Sequence, residues 1–274
     1  MKRCQANFRF YRPCGLLQPY IRYYWLFKSN QLLNPLTFPI GCPQIIFHRK
    51  TPLYIPELGT YQARLTVSGQ VNYPSHLSSE GDTEMIVVVF KPYGMKAFLN
   101  LPISVLHNLE VSGYDLENKK LEKLAAQIFD SEHAESCIRL IETWLLSQLV
   151  NAHTPQAEHN MKRIAAAMKQ MFAVPETSVT ALASASCLSK KQFERSFSEL
   201  VGTNPKEYAR IMRFQKALRL LQDTPNINQA QLAYQCGYAD QSHLIREFKR
   251  FSGHTPLSLL NVCNPYSDLF TNPV

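Results

Sequence analysis

The chain has 274 residues, of which 45% are hydrophobic and 18% charged, enough apolar surface for more than one core, so two domains are expected. A formal net charge of +8 favours a polyanionic partner, and residues 156–274 hold 14 Lys/Arg against 9 Asp/Glu. The seven cysteines are scattered, without the Cys-x2-Cys pair that zinc binding or thiol exchange would need, and fit a reduced setting. The start, Met1-Lys2-Arg3 followed by Cys4, Gln5 and Asn7, has no apolar signal core, and the longest apolar run, 85–90, is far shorter than a membrane span. A cytoplasmic protein with no membrane partner is the expectation.

In chain order, residues 1–95 read as strands and turns. Short β-branched and aromatic runs at 20–27, 44–48, 65–67 and 84–91 alternate with Pro and Gly punctuation, as in an antiparallel barrel or sandwich. Helical spacing takes over with Leu121, Leu124, Ala125, Ile128 and Phe129, then Ile138, Ile141, Leu145 and Leu149, predicting a helical hairpin at 119–129 and 136–150. Residues 151–159 have almost no apolar side chain and contain Pro155, which reads as a linker. Helices are then expected at 161–172, 179–185, 190–201, 206–221, 228–235, 241–251 and 256–262. The domain reading is 1–150 for sensing and dimerisation, 151–159 linker, 160–262 all helical, and 263–274 tail.

Within the helical part, Arg-x-Phe-x4-Gly-x2-Pro occurs twice at an offset of 51, as Arg195, Phe197, Gly202, Pro205 and as Arg246, Phe248, Gly253, Pro256. Leu182-Ala183 matches Leu232-Ala233 at an offset of 50, so the second copy carries one extra residue between its two helices. A helix, a turn of variable length and a second helix is the simplest repeated unit. In the first copy Ser189 is a suitable N-cap and Phe193, Phe197 and Leu200 form the buried stripe. The outer face then presents Lys190, Lys191, Glu194, Arg195 and Ser198.

In the second copy Asp240 caps, and Leu244, Phe248 and Phe251 make the stripe. Gln241, Ser242, Ile245, Arg246 and Lys249 face outward. Polar outer faces are usually only solvated, but two copies mixing donors, acceptors and an apolar group suit base edges in a major groove. Thr203, Arg210, Arg213, Lys216 and Thr255 are candidate phosphate contacts, Arg213 being equally suited to an internal ion pair. Ala183 and Ala233 are expected where the two helices of each motif cross closely.

Residues 160–257 resemble the tandem helix-turn-helix domain of the AraC/XylS family of transcription regulators. The resemblance is carried by Leu182-Ala183, Leu188-Ser189, Phe193, Arg195, Phe197, Gly202, Pro205, Tyr208, Arg213, Ala217, Leu221 and Ile227. It continues through Leu232-Ala233, Gly237-Tyr238, Asp240, Ser242, Leu244, Arg246, Phe248, Lys249, Gly253 and Pro256. It implies base contacts from the outer faces of both recognition helices, double-stranded DNA and RNA polymerase as partners, and a bacterial setting. The chain departs from the pattern at Cys187, where the family has Gly, so the first motif is expected to be distorted or to tolerate the change. It departs again at Leu257–Leu260, where an aromatic-Arg pair is missing.

More weakly, Pro39-Ile40-Gly41-Cys42 and Phe90-Lys91-Pro92-Tyr93-Gly94 resemble turns of a cupin-like sensor domain. The expected fold class is therefore α+β multidomain, with an N-terminal cupin-like β-barrel and helical hairpin before an all-α tandem helix-turn-helix. The resemblance implies an unidentified small-molecule effector and a homodimer through the hairpin, whose helices are equally suited to packing within the domain. Tyr23 and Trp25 are ligand-pocket candidates. His48, His76 and His107 are isolated, so no metal and no cofactor are expected.

The function expected is a DNA-binding regulator, more often an activator, and not an enzyme. A methyl-accepting repair protein with a zinc-held cysteine would need clustered Cys ligands that Cys4, Cys14 and Cys42 do not supply. The alternative is a ligand- or protein-binding regulator whose helix-turn-helix does not contact DNA directly.

Overall fold

The structure, a computed structural model, describes residues 7–152, 155–174 and 177–262. Its N-terminal part is a six-stranded antiparallel sheet made by β1 (Asn7–Tyr11), β2 (Ile21–Ser29), β4 (Gln44–His48), β7 (Leu65–Ser68), β9 (Thr83–Phe90) and β10 (Glu110–Ser112). The order is β1-β2-β9-β4-β7-β10. Short ladders β3 (Leu36–Thr37) with β8 (Ser75–His76), and β5 (Tyr54–Ile55) with β6 (Thr60–Tyr61), lie apart from it.

Strand alternation distributes the apolar runs over both faces of the sheet. Tyr24, Leu26, Ile45, Phe47, Ile86, Val88 and Phe90 face one core, while Trp25, Phe27, Ile46, Met85, Val87 and Val89 face another. This is why the strands read as continuous apolar segments. The first face is covered by α1 (Lys119–Asp130) and α2 (Ala134–Ala152), through Leu121, Leu124, Ile128, Ile141 and Leu145. The second is covered by connecting chain, including Leu33, Ile40, Cys42 and Leu53.

The β-rich domain is as expected, but the sheet does not close into a barrel: β1 and β10 each have one neighbour. The strands that could complete it are two residues long, with Pro35 and Pro74 directly before β3 and β8, Pro39 two residues after β3, and Pro56 directly after β5. Proline has no N–H to give a ladder, so pairing stops there.

The second part is all helical. It contains α3 (Pro155–Ala173), α4 (Val179–Ala185), α5 (Lys190–Val201), α6 (Pro205–Asp223), α7 (Gln229–Gln235), α8 (Gln241–Ser252) and α9 (Pro256–Val262). The stretch read as a linker is helical where described: 151–152 end α2 and 155–159 open α3. Pro155 stands at the first helical position, where its missing N–H costs nothing and its fixed φ suits the helix. Residues 153–154 lie outside the described set, as do 263–274, the expected tail.

Two cores divide the helices. Ile164, Met168, Leu182, Phe193, Phe197, Val201 and Tyr208 form one. Phe214, Leu218, Leu232, Leu244, Phe248, Phe251 and Leu259 belong to the other. Helix α6 contributes to both, and its 19 residues span about 28 Å, longer than the 206–221 expected.

The two parts share packing. Leu36 and Phe38, from the N-terminal domain, are members of the second helical core, Phe38 meeting Phe214 with ring centroids 6.0 Å apart. Gln215 Nε2 donates to the Pro39 carbonyl (2.6 Å) and Asn72 Nδ2 to Glu207 Oε1 (3.0 Å). Gly41, at φ 68°, packs against Met212 and Tyr208 so closely that a Cβ there would overlap the Met212 methyl.

Candidate nucleic-acid interface

Each motif is built by the same local devices. Helix α4 ends with Cys187 N–H donating to Ser184 O and Leu188 N–H to Ala183 O, both at 3.0 Å. Helix α7 ends identically, Gly237 N–H to Tyr234 O (3.1 Å) and Tyr238 N–H to Ala233 O (3.0 Å). These are the two bonds of a Schellman stop, which requires a left-handed residue between them. Cys187 takes that role at φ 54° and Gly237 at φ 73°. The hydrogen-bond pattern of the first turn is therefore undistorted; the substitution is absorbed as backbone strain at Cys187. The extra residue of the second copy falls after this stop, where Ala239 precedes the Asp240 cap and Ser189 directly follows Leu188.

The recognition helices start on side-chain caps. Ser189 accepts from Gln192 N while Gln192 reaches back to the Ser189 N–H, a reciprocal capping box, and Asp240 accepts from His243 N (2.7 Å). Their buried stripes are Phe193, Phe197 and Val201, and Leu244, Phe248 and Phe251, each fully buried. Leu200, expected in the first stripe, is only partly buried, because Val201 fills that place. Ala183 and Ala233, each 2% exposed, sit in these cores.

On the outer faces Lys190, Lys191, Arg195, Gln241, Ser242, Arg246 and Lys249 are exposed, and Glu194, Ser198 and Ile245 half-exposed. None of the five cations is ion-paired to another described residue. An unpaired, solvated cation loses little on meeting a phosphate or a guanine edge.

The phosphate candidates separate into two groups. Thr203 is 3% exposed with its hydroxyl buried, so it does not reach a phosphate in this conformation. Arg210 is occupied: it is bidentate to Glu247 (2.8 and 2.7 Å) and also donates to Glu207 (2.8 Å). Arg213 is half-buried over the Tyr238 ring, 5.7 Å from its centroid, a cation–π contact rather than the ion pair considered for it.

Lys216 is exposed and holds the Gln235 carbonyl (2.6 Å) at the end of α7, where the helix dipole favours it. Thr255 is half-exposed and caps the last helix with Ser258. Tyr23 and Trp25 are both buried, and Trp25 lines a cavity.

One cluster has no local signature in the sequence. Glu207 and Arg210 on α6, and Glu247 and Arg250 on α8, form a chain of ion pairs, Glu247–Arg210–Glu207–Arg250, in which Arg250 donates to Glu207 (2.8 Å). Asn72 of the N-terminal domain hydrogen-bonds the same Glu207 oxygen. Burial opposes the charge on Glu247, but the Arg210 hydrogen bonds outweigh it and hold the carboxyl below its usual range. The signal was present as two Glu-x2-Arg pairs forty residues apart, without anything local to say that they meet.

Comparison with known proteins follows the same division. Residues 182–261 match the family described as a helix-turn-helix domain, and residues 9–112 match a domain of unknown function. A helix-turn-helix-type transcriptional regulator, YdeC of Bacillus subtilis, is 27% identical over 146 residues, 51% of this chain and 50% of that protein. The chain thus spans about half the length of the curated relative it matches.

Among solved structures, ToxT of Vibrio cholerae with a bound unsaturated fatty acid is 14% identical, with TM-score 0.42, over 99% of this chain and 98% of that one. The DNA-binding domain of AdpA in complex with a target DNA is 23% identical, with TM-score 0.34, over 40% of this chain and 96% of that one.

Proposed function

With residues 182–261 an AraC-type helix-turn-helix domain, we propose that the chain is a sequence-specific regulator of transcription that binds double-stranded DNA through α5 and α8. The observation that carries this reading is the pair of non-identical outer faces whose cations are exposed and unpaired. Lys190, Lys191, Glu194, Arg195 and Ser198 read one half of the site; Gln241, Ser242, Ile245, Arg246 and Lys249 read the other. Because Glu194 stands where Ile245 stands in the second copy, the halves differ and the target is asymmetric rather than palindromic. Lys216 and Thr255 remain as backbone contacts.

Activation through RNA polymerase, a small-molecule signal on the N-terminal domain, and pairing of two copies through α1 and α2 belong to the same reading. YdeC, a regulator by its name, supports the class over the stretch that matches.

Fluorescence anisotropy with a selected duplex and a scrambled one tests the reading. A clear preference at physiological salt is expected, with affinity falling steeply as salt rises. Equal binding to both duplexes, with and without candidate effectors, would return the protein to a regulator whose helix-turn-helix does not touch DNA.

A further inference from the structure

On the second face of the sheet, beneath the chain segment 37–42, lies a cavity of about 70 Å³, room for roughly five water molecules. Its walls include Trp25, Gln44, Gln62, Gln70, Tyr73 and Glu110. Glu110 is the only Asp, Glu, Lys, Arg or His among the lining residues. Its carboxylate accepts from Gln62 Nε2 (2.7 Å) and Ser68 Oγ (3.4 Å), but no described cation pairs with it. Gln70 is 1% exposed and spends its amide N–H on the Gly41 carbonyl (3.1 Å), leaving Oε1 without a partner. Burial pushes the Glu110 carboxyl above its usual range, the Gln62 and Ser68 hydrogen bonds opposing, because no counter-ion holds its charge; with the orphaned amide oxygen of Gln70 it gives the cavity two acceptor side chains that an entering cation would satisfy. Trp25 also lines the cavity, with its ring stacked on Phe8 at a centroid distance of 5.5 Å; an indole attracts cations to its face.

The same walls bear on the helical part. Phe38 lines the cavity and packs on Phe214; Gly41 lines it and packs on Tyr208 and Met212. Both contacts are made to α6, the helix that joins the two motifs.

We propose that this cavity is a binding site for a small protonated amine, with Glu110 as counter-ion, Gln70 Oε1 as a further acceptor and Trp25 as an aromatic wall. Occupancy is transmitted to α6 through segment 37–42. An anion would meet two acceptors and no cation here, so a carboxylate or phosphate ligand is disfavoured. The transmission to α6 rests on the DNA-binding reading given above; the amine site does not.

The test is a titration of the full chain with propylammonium, ethanolammonium and tetramethylammonium, beside propanol and propionate as neutral and anionic matches. Ligand-observed NMR and thermal shift report the binding. The ammonium ions are expected to bind and to raise the melting temperature; Glu110→Gln is expected to weaken them about tenfold or more, as loss of a charge-assisted hydrogen bond implies. Binding of propanol or propionate in preference to the ammonium ions, or no ammonium binding to the wild type, overturns the site without recourse to any variant.

Ammonium binding that survives Glu110→Gln overturns it too, and would move the ligand to the larger cleft of about 550 Å³ near Phe98, Lys96 and Leu200. Saturation with ammonium should change the affinity for the selected duplex, and an unchanged affinity refutes the transmission. If ammonium binds and no duplex is preferred over any other, the amine site stands and the DNA-binding reading falls.

Discussion

Cys187→Gly should stabilise this protein. The residue sits at φ 54°, in the left-handed region, as the hinge of the stop that ends α4. A residue with a Cβ there costs about 1–2 kcal/mol relative to glycine. Against that, glycine gives the unfolded chain more freedom, about 0.5–1 kcal/mol. Cys187 is exposed, so no packing is lost when the side chain goes, and the net gain is about 0.5–1 kcal/mol.

At the matching place in the second repeat the reverse change, Gly237→Ala, should cost a similar amount, since Gly237 has φ 73° and the same two hydrogen bonds. Melting curves followed by circular dichroism should separate the two variants from the wild type in opposite directions by about 1–3 °C. Cys187→Ala keeps the Cβ and should leave the midpoint nearly unchanged. The reasoning is refuted if Cys187→Gly lowers the midpoint, or if Cys187→Ala raises it as far as glycine does, which would assign the effect to the thiol.

Other outcomes follow from the same structure. Arg246→Ala should weaken the selected duplex by about 1–3 kcal/mol and relax preference at one base pair, whereas Lys216→Ala, at a backbone contact, should weaken all duplexes alike and reduce the salt slope by about one. Anisotropy across a salt series distinguishes them.

Arg210→Ala leaves Glu207, largely buried, to Arg250 and Asn72 and leaves Glu247, also largely buried, without an ion pair, and should cost about 2–4 kcal/mol in a urea titration. Because Glu247 is held below its ordinary range, the stability it contributes is present above that range and lost as pH falls through its folded pKa. The Arg210→Ala variant should accordingly lose less further stability on acidification than the wild type.

His48, fully buried beside Gln62, is pushed down to about 4 by burial, the Gln62 hydrogen bond opposing. Its unfolded form takes a proton near pH 6.5 while the folded form resists until about pH 4, so the wild type should lose stability across that window, approaching about 1.4 kcal/mol per pH unit. In His48→Gln the slope over that window should flatten.

What could be read from the sequence was whatever repeats or follows a fixed period. The two recognition helices, their caps Ser189 and Asp240, and the apolar strands β2, β4, β7 and β9 announce themselves within a dozen residues. Strand β10 did not, since Glu110-Val111-Ser112 has no apolar run and is recruited only by pairing with Thr66–Ser68.

Pro155 suggests a break because proline usually ends a helix; at the first position of a helix it begins one. Thr203, by its place beside a helix start, and Arg210, by its charge, suggest phosphate contacts. Burial of the first, and the Glu247 carboxylate that holds the second, come from elements far away in sequence, which no local pattern encodes.

The sharing of Leu36 and Phe38 with the second helical core has a practical side. A fragment beginning at α3 would retain every helix of the DNA-binding reading yet lose two side chains that close over Phe214. Its surface would carry an uncovered aromatic patch there, prone to self-association. For expression trials the useful boundary is thus not where the helices begin. A fragment made soluble by a polar replacement on the Phe214 face, or rescued by adding the N-terminal part in trans, would show that the two halves are folding partners as well as neighbours in the chain.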